Sequence, residues 1–450
     1  MVKDMTKGSP MRLIISFTIP MIFGNLFQQL YNMVDTIVVG RFVGVDALAA
    51  VGSVGSVFFL VIGFCTGICS GFSIPVAQFF GAGNYANMKK YIANTGYLCG
   101  IFAAALLAVT ILLTKPLLIL METPSNIIDD AFTYIIIIFI GIPITIFYNM
   151  LSCILRALGD TKTPLKYLTI SSVLNIIFDL LFVIVFKMGV AGVAVATNIS
   201  QLISGILCFI FMKKNVDVLC FENEELKFSS QCCKRLIKVG VPMGLQFSIT
   251  AIGSIILQAA VNTLGSAVVA SVTAASKVQL LMIQPLETMG ITMATYGGQN
   301  LGARQIKRIR QGVRKSLILS MTYSLAACLA AAFLGRYLVY MFVENPGKQL
   351  LDNAQKFMTI GGLFYPFLGV LFILRNLLQG LSYSFVSMFA GVTELAARTI
   401  VAFCFVKTIG YTAVCFASPV AWIVAAVMLV IVYIIKIKEL TIHFSCKETV

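Results

Sequence analysis

Two carboxylates lie within strongly apolar stretches of this chain, Asp35 in YNMVDTIVV and Asp179 in LNIIFDLLF. A charge at the centre of a hydrocarbon layer costs roughly 2.5–3.5 kcal/mol or more, so acids kept there usually serve ions, protons or substrates. Asp35 ends a series of polar residues that step by three or four positions: Asn25, Gln28, Asn32 and Asp35. Because residues at these spacings share one helical face, the series predicts a polar stripe on the first helix.

Two further polar stripes follow in the same half of the chain. They comprise Ser172, Asn175 and Asp179, and Thr197, Gln201 and Ser204. Three helices that each turn a polar face inward predict a shared pocket containing both acids, for which we find no basic partner in this half. Burial favours the neutral form of a carboxyl group. The pocket is therefore suited to exchanging a proton, or to binding a small cation with amide and hydroxyl oxygens.

The second half of the chain carries a different set of charges. Glu394 and Arg398 are four residues apart, which predicts an internal ion pair with a structural role. Lys277, Gln284 and Glu287 flank a proline that is expected to kink its helix, and they are candidates for contact with a substrate. The basic stretch 304–315 predicts an interfacial helix held by anionic lipid.

The composition identifies the elements that must position these residues. Apolar residues make up 59% of the 450 positions and charged residues only 11%, against about 25% in soluble domains. Twelve apolar segments are long enough to cross about 30 Å of hydrocarbon. They are 12–39, 47–75, 91–120, 130–155, 167–187, 189–212, 236–263, 267–297, 316–342, 355–380, 384–406 and 410–436. The expected fold is an all-α polytopic membrane protein with twelve transmembrane helices.

The basic charge is explained by membrane topology. Most of the 33 Lys and Arg residues fall in alternate connections, among which we count Arg375. The positive-inside rule then predicts a plasma-membrane protein with both termini cytoplasmic, and the net charge of +15 needs no nucleic-acid partner.

Catalytic and nucleotide-binding patterns are absent from the sequence. The single His lies in the polar C-terminal segment, and no nucleophile–base or zinc pattern accompanies the twelve Cys. We therefore do not expect an enzyme. No GxxxxGK[ST] pattern occurs, so ATP is not expected to be the direct energy source.

The chain repeats itself after about 221 residues. Matching positions include Gly44 and Gly265, Gln78 and Gln299, Gly159 and Gly380, and Gly189 and Gly410. An even number of helices in each half predicts two six-helix lobes related by a pseudo-two-fold axis along the membrane normal, with a cavity between them. The predicted parts are an N-terminal lobe (1–212), a cytoplasmic linker (213–235), a C-terminal lobe (236–436) and a cytoplasmic tail (437–450).

Several motifs resemble one transporter family. IPMIFGNLFQQLYNMVDTIVVGRFVG (19–44), QFFGAGN (78–84), RALGDTKTP (156–164) and GQNLGAR (298–304) are similar to motifs of the multidrug and toxic compound extrusion (MATE) transporters, closest to the DinF-like branch. The resemblance covers essentially the whole chain. It implies a V-shaped cavity and efflux of organic, often cationic, compounds driven by a proton or sodium gradient.

The resemblance also implies a coupling site. In the DinF-like branch an Asp, an Asn, an Asp and a Thr bind the coupling ion, which here match Asp35, Asn175, Asp179 and Thr197. Either H+ or Na+ would bind at these four residues, and no other cofactor is implied. Another branch places an acid on the seventh helix, where this chain has Leu257 and Gln258.

The predicted function is multidrug efflux by an alternating-access antiporter, with Pro20 as a hinge in the first helix. Candidate substrate contacts are Gln28, Asn32, Gln201, Lys277, Gln284 and Glu287. The expected partners are small-molecule substrates and membrane lipids, and the expected oligomeric state is a monomer. Two alternatives remain: a flippase for lipid-linked precursors, which would need a basic cavity for pyrophosphate, and a channel or scaffold.

Overall fold

The computed structural model describes residues 3–121, 123–341, 343 and 347–445, and these residues contain helices but no strand. The helices of the first half are α1 (Pro10–Val38), α2 (Val45–Ser53), α3 (Gly55–Gly81), α4 (Tyr85–Leu120), α5 (Ile128–Ile140), α6 (Ile142–Ala157), α7 (Lys162–Leu180) and α8 (Gly189–Asn215). Those of the second half are α9 (Ser230–Asn262), α10 (Ser266–Gly302), α11 (Ile306–Val339), α12 (Lys348–Leu363), α13 (Tyr365–Gly380), α14 (Ser384–Ile400), α15 (Val406–Ile409) and α16 (Tyr411–Ser445).

Three short π-helical segments extend helices of this set. They are Val39–Val43 after α1, Leu181–Val185 after α7 and Val401–Phe405 after α14. The second and third occupy matching places in the repeat. Single π-helical turns are rare and occur frequently at functional sites.

By length and composition, ten described helices are able to cross a membrane. Two bent pairs, α5 with α6 and α12 with α13, bring the number to twelve if each pair is one span. The bends are 47° and 52°. Pro143 and Pro366 begin the second helix of each pair, where their missing N–H groups break the hydrogen-bond ladder but suit a new helix start.

Several predicted boundaries are wrong. The predicted span 47–75 is two helices that separate at Val54, and of these only α3 is long enough to cross a membrane. The basic stretch 304–315 is not a separate interfacial helix, because α11 starts at Ile306 and continues to Val339. The predicted tail remains helical through Ser445. Residue 342 and the tail beyond 445 lie outside the described residues.

The chain forms two compact units. Unit 1 contains Met1–Asp4 and Ile19–Gly244, and unit 2 contains Met5–Thr18 and Leu245–Val450. The core of unit 1 is built mainly from α3, α4, α5 and α6, with fully buried Phe72 and Phe139. The apolar core of unit 2 includes residues of α10, α12 and α16.

Gln78 and Gln299, which match in the repeat, each accept a hydrogen bond from a distant segment of the same unit. In unit 1 Arg235 donates a hydrogen bond to Gln78 Oε1 at 2.8 Å. In unit 2 the Met5 N–H donates to Gln299 Oε1 at the same distance. Both glutamines are buried, so the motif repeat has a structural basis.

We expect Gly71→Ala to destabilise the protein, because α3 and α9 approach closely at this residue within unit 1. A Cβ atom on Gly71 would lie 3.0 Å from the Gly240 nitrogen and 3.1 Å from the Val239 oxygen, and closer still to the Gly240 Cα. Backbone atoms cannot move aside as a side chain does, so the loss should reach about 1–3 kcal/mol. Thermal melting of the purified protein in detergent measures it.

The matched control for this substitution is Gly100→Ala on α4. A Cβ atom at Gly100 would meet no other atom within 4 Å. Alanine is the better helix former by about 1 kcal/mol, so this variant should melt at the wild-type temperature or above it. Equal melting of the two variants would contradict the close approach of α3 and α9.

Candidate functional site

The two intramembrane acids each lie near the C-terminal end of their helix. Asp35 lies one turn before the π-helical segment that follows α1, and Asp179 lies two residues before the one that follows α7. Asp179 is fully buried and Asn175, one turn earlier on α7, is 2% exposed. Asp35 is half-buried. Both acids are thus presented where the helical hydrogen-bond pattern changes.

Unit 1 brings the four predicted coupling residues together. The Asp35 carboxyl group lies beside the Asp179 carboxyl group and the Thr197 side chain. The Thr197 hydroxyl donates to the Val193 carbonyl at 3.0 Å, so its lone pairs remain available to a proton donor or a cation. Asn175 and Thr197 line one small cavity.

Many polar atoms of this cluster lack a hydrogen-bond partner in the described residues. Several buried atoms make no hydrogen bond within the described residues: Asp35 Oδ1, Asp179 Oδ1 and Oδ2, Asn175 Oδ1 and Nδ2, Ser200 Oγ and Ser204 Oγ. Most buried polar atoms in proteins are hydrogen-bonded, and each one left alone costs about 1–3 kcal/mol. A concentration of such atoms at one place is typical of a functional site rather than a packing core.

The cavity beside the acids has a volume of about 20 Å³. A volume of roughly 10–15 Å³ holds one water molecule, so the cavity accepts a water or an ion of similar size. Its lining is almost wholly hydroxyl and amide: Gln28, Tyr31, Tyr148, Leu168, Ser171, Ser172, Asn175, Thr197, Ser200, Gln201 and Ser204. Lys and Arg do not contribute to this lining.

A sodium ion here would depend on mixed oxygen ligands. In the described part of the chain, no three His, Cys, Asp or Glu side chains gather as a metal site would require. The two carboxyl groups would therefore be supplemented by Asn175 and Thr197 oxygens. Hard cations prefer such oxygen ligands, and the donor set suits a proton equally well.

Sequence reasoning missed two tyrosines near the acids. Tyr31 and Tyr134 lie close enough for the charges of Asp35 and Asp179 to act on their hydroxyl groups. Tyr31 is four residues before Asp35 on α1, so the helical spacing was sufficient to find it. Tyr134 lies on α5, and nothing in its local sequence connects it with the other helices.

The six predicted substrate contacts are divided between the two units. In unit 1, Gln28 and Gln201 line the small cavity, where Gln201 accepts a hydrogen bond from Thr145 at 2.8 Å. Asn32 is exposed on α1. The other three are on α10 in unit 2, where Lys277 is exposed, Gln284 is buried and Glu287 is half-buried.

Unit 2 contains a buried charge cluster that is larger than the predicted ion pair. Glu394 accepts from Arg398 at 3.4 Å and also from Arg375 at 3.2 Å. Arg375 is 8% exposed and lies within α13, so its predicted place in a cytoplasmic connection is wrong. Glu287 also lies near Arg375. The Arg375–Glu394–Arg398 triad therefore joins α13 to α14.

Comparison with known proteins identifies the family. The MatE family model matches residues 20–181 and 242–404, once in each half, as the 221-residue repeat predicts. The chain belongs to the MatE family. Proteins of this family are membrane transporters, so this MatE protein is a transporter and not an enzyme. Its assignment to the DinF-like branch stays a prediction.

Curated relatives and solved structures agree with the MatE assignment. The probable multidrug resistance protein YpnP of Bacillus subtilis is 29% identical over 84% of each chain. Its counterpart YoeA from the same organism is 30% identical over 70% of each chain. The outward-facing structure of a multidrug resistance MATE family transporter of the MOP superfamily has a TM-score of 0.91 at 22% identity, covering 97% of this chain and 98% of that one. This likeness confirms the predicted all-α membrane fold with two lobes, for which the described residues provide ten to twelve candidate spans.

Proposed function

We propose that this MatE protein exports organic compounds across the membrane in exchange for H+ or Na+. The observation that carries the proposal is the Asp35–Asp179 pair, two neighbouring acids on the spans formed by α1 and α7. No Lys or Arg pairs with either acid in the described residues. Two carboxylates at close quarters in low dielectric do not both stay charged without a counter-ion, so the pair takes up a proton or a small cation.

Uptake of the ion is coupled to a change in α1. Neutralising one acid removes the repulsion between Asp35 and Asp179 and lets α1 repack against α7. The π-helical segments beside both acids favour such a change, since a helix there has already left its regular hydrogen-bond pattern. Pro20 within α1 lacks a backbone N–H and is the proposed hinge. Alternating access follows if the repacked helix opens the substrate site to the other side.

The proposed cargo is lipophilic and often cationic. The relatives YpnP and YoeA are both described as probable multidrug resistance proteins. Gln28, Asn32 and Gln201 remain the proposed contacts in unit 1. The residues on α10, Lys277, Gln284 and Glu287, remain the proposed contacts in unit 2.

A flippase of lipid-linked precursors is less well supported. Such a protein must hold a pyrophosphate, which requires Lys or Arg at the binding site. The cavity of unit 1 is lined by hydroxyl and amide groups beside two acids. A channel would not need paired acids without a counter-charge.

We further propose a plasma-membrane monomer with both termini cytoplasmic and lobes at 1–212 and 236–436. The basic residues in the last turn of α8 and at the start of α11 support this orientation under the positive-inside rule. Within unit 1, Asn94 on α4 accepts from the Ser229 N–H at 2.8 Å and donates to the Lys227 carbonyl at 3.3 Å. These contacts hold the proposed linker, 213–235, against α4.

The test is transport by wild-type protein in proteoliposomes that contain a cationic fluorescent dye. A proton gradient and a sodium gradient are imposed in separate experiments, with a protonophore and choline replacement as controls. We expect one gradient to drive the dye against its own concentration gradient. Its transport should be several-fold faster than in the same proteoliposomes without an imposed ion gradient. That gradient identifies the coupling ion.

Two outcomes would overturn the proposal. Downhill dye flux that is independent of both gradients would indicate a channel. Failure to move the dye, together with movement of a labelled polyprenyl pyrophosphate, would favour the flippase.

A further inference from the structure

A long groove runs between α11 and α16 in unit 2, away from the acids of the coupling site. Its volume is about 660 Å³, within the range of binding pockets for organic ligands. The lining residues are Arg310, Val313, Arg314, Leu317, Ile318, Met321, Thr322 and Tyr433. Most of the α11 side chains among them are exposed, so the groove opens to the outside of the protein.

The groove is polar at one end and largely apolar along the rest of its length. Arg310 and Arg314 form the basic end, where Arg310 donates to Thr441 on α16 at 2.8 Å. Met321 lies eleven residues after Arg310 on α11, or about 16 Å along the helix at 1.5 Å per residue. That length is close to half of the roughly 30 Å hydrocarbon thickness. A groove with its basic end at the membrane interface therefore reaches about the bilayer centre.

Within the described residues, no ion pair joins Arg310 or Arg314 to an acid. The first ten residues of α11, IKRIRQGVRK, contain five cations and no acid. On α16, Glu439 lies two residues before Thr441 and accepts a hydrogen bond from Lys436 at 2.8 Å. Arg314 is exposed and makes no hydrogen bond within the described residues. Two guanidinium groups thus remain available to an anion.

An anion with a long apolar tail fits these features better than a free anion does. Basic pockets between transmembrane helices bind anionic lipid headgroups. A soluble anion would contact only the two arginines. It has no apolar part that could occupy the rest of the groove. Tyr433 of α16 lies near Arg310 and contributes an amphipathic ring to the groove, as is common at membrane interfaces.

We propose that this groove binds one anionic phospholipid. The headgroup phosphate lies between Arg310 and Arg314, and one acyl chain follows Leu317, Ile318 and Met321. The site is independent of the transport cycle proposed above, so either conclusion holds if the other fails.

The test is native mass spectrometry of the full-length protein in mild detergent with added dioleoyl phosphatidylglycerol. We expect one lipid to be retained, and dioleoyl phosphatidylcholine to be retained much more weakly. The double variant R310Q/R314Q should retain phosphatidylglycerol about thirtyfold more weakly, since one cation near a membrane surface contributes roughly a factor of five. Inorganic phosphate should neither bind nor displace the lipid.

Two further variants separate the groove from general charge effects. K213Q/K214Q removes two exposed cations at the end of α8 and should retain the lipid as wild type does. Leu317→Trp fills the groove without altering charge and should weaken retention as the arginine variant does. Melting temperatures without lipid establish that each variant is folded.

The proposal is overturned if R310Q/R314Q retains phosphatidylglycerol as tightly as wild type, or if K213Q/K214Q loses it equally. Equal retention of phosphatidylcholine would also overturn it. Displacement of the lipid by inorganic phosphate would indicate a free-anion site instead.

Discussion

Asp35→Asn should reduce gradient-driven dye transport at least tenfold, to nearly the level of liposomes without protein. The amide keeps the size and polarity of the side chain but cannot take up a proton or balance a sodium ion. Asp179 would then lie beside a neutral group at every stage, so the change in repulsion that couples ion uptake to the repacking of α1 would be lost. Transport under the coupling gradient found for wild type measures the effect.

The matched control is Asp46→Asn, which alters an exposed acid in the first turn of α2. It should transport like wild type. The melting temperature of Asp35→Asn should equal or exceed that of wild type, because the substitution relieves a carboxylate pair instead of breaking an ion pair. Wild-type transport by Asp35→Asn would show that the polar stripe of α1 is a packing feature and would refute the coupling mechanism.

Glu394→Gln should lower the stability of the protein by about 3–5 kcal/mol. Arg375 and Arg398 are each 8% exposed, and Glu394 is the acid that accepts from both. Removing that acid leaves the Arg398 charge in the interior of unit 2 without its acid and leaves Arg375 with only Glu287 nearby. The loss of one partner from a buried pair is far more costly than the pair's net contribution. Thermal melting of the purified variant in detergent, compared with wild type, measures the change.

Two comparison variants make the result specific. Glu439→Gln breaks an exposed pair with Lys436 and should leave the melting temperature unchanged. The triple variant R375M/E394L/R398M replaces the whole triad by apolar side chains and should regain most of the lost stability. If Glu394→Gln melts like wild type, the triad does not support the packing of α13 against α14.

The candidate site could be predicted in part because its signals are local. Asp35 and Asp179 are conspicuous as carboxylates within apolar runs, and the steps of three and four residues around them fix their helical faces. Tyr134 was missed because its proximity to Asp35 depends on how α5 packs. Arg375 was misplaced for a similar reason, since a charge near a helix end in sequence is equally compatible with solvent and with a buried partner nineteen residues away.

The number of membrane spans, ten to twelve in the described residues, was predictable, and the helix shapes were not. Hydropathy over about 20 residues identifies a span, since backbone groups in hydrocarbon must be paired within a helix. The bends at α5–α6 and α12–α13 leave that average unchanged, although Pro143 and Pro366 mark them in the sequence. The π-helical segments after α1, α7 and α14 have no such marker.

The sequence by itself determined the membrane class, the internal repeat and the two acids whose cost in hydrocarbon indicates a function. These properties follow from composition and helical spacing, which act over a few turns of chain. Only the tertiary structure decided that Asp35 meets Asp179 beside Thr197, that Glu394 lies between two arginines, and that α11 and Tyr433 of α16 line an open groove with a basic end. Each of these depends on which faces of distant helices pack together, and that packing is set by the whole chain.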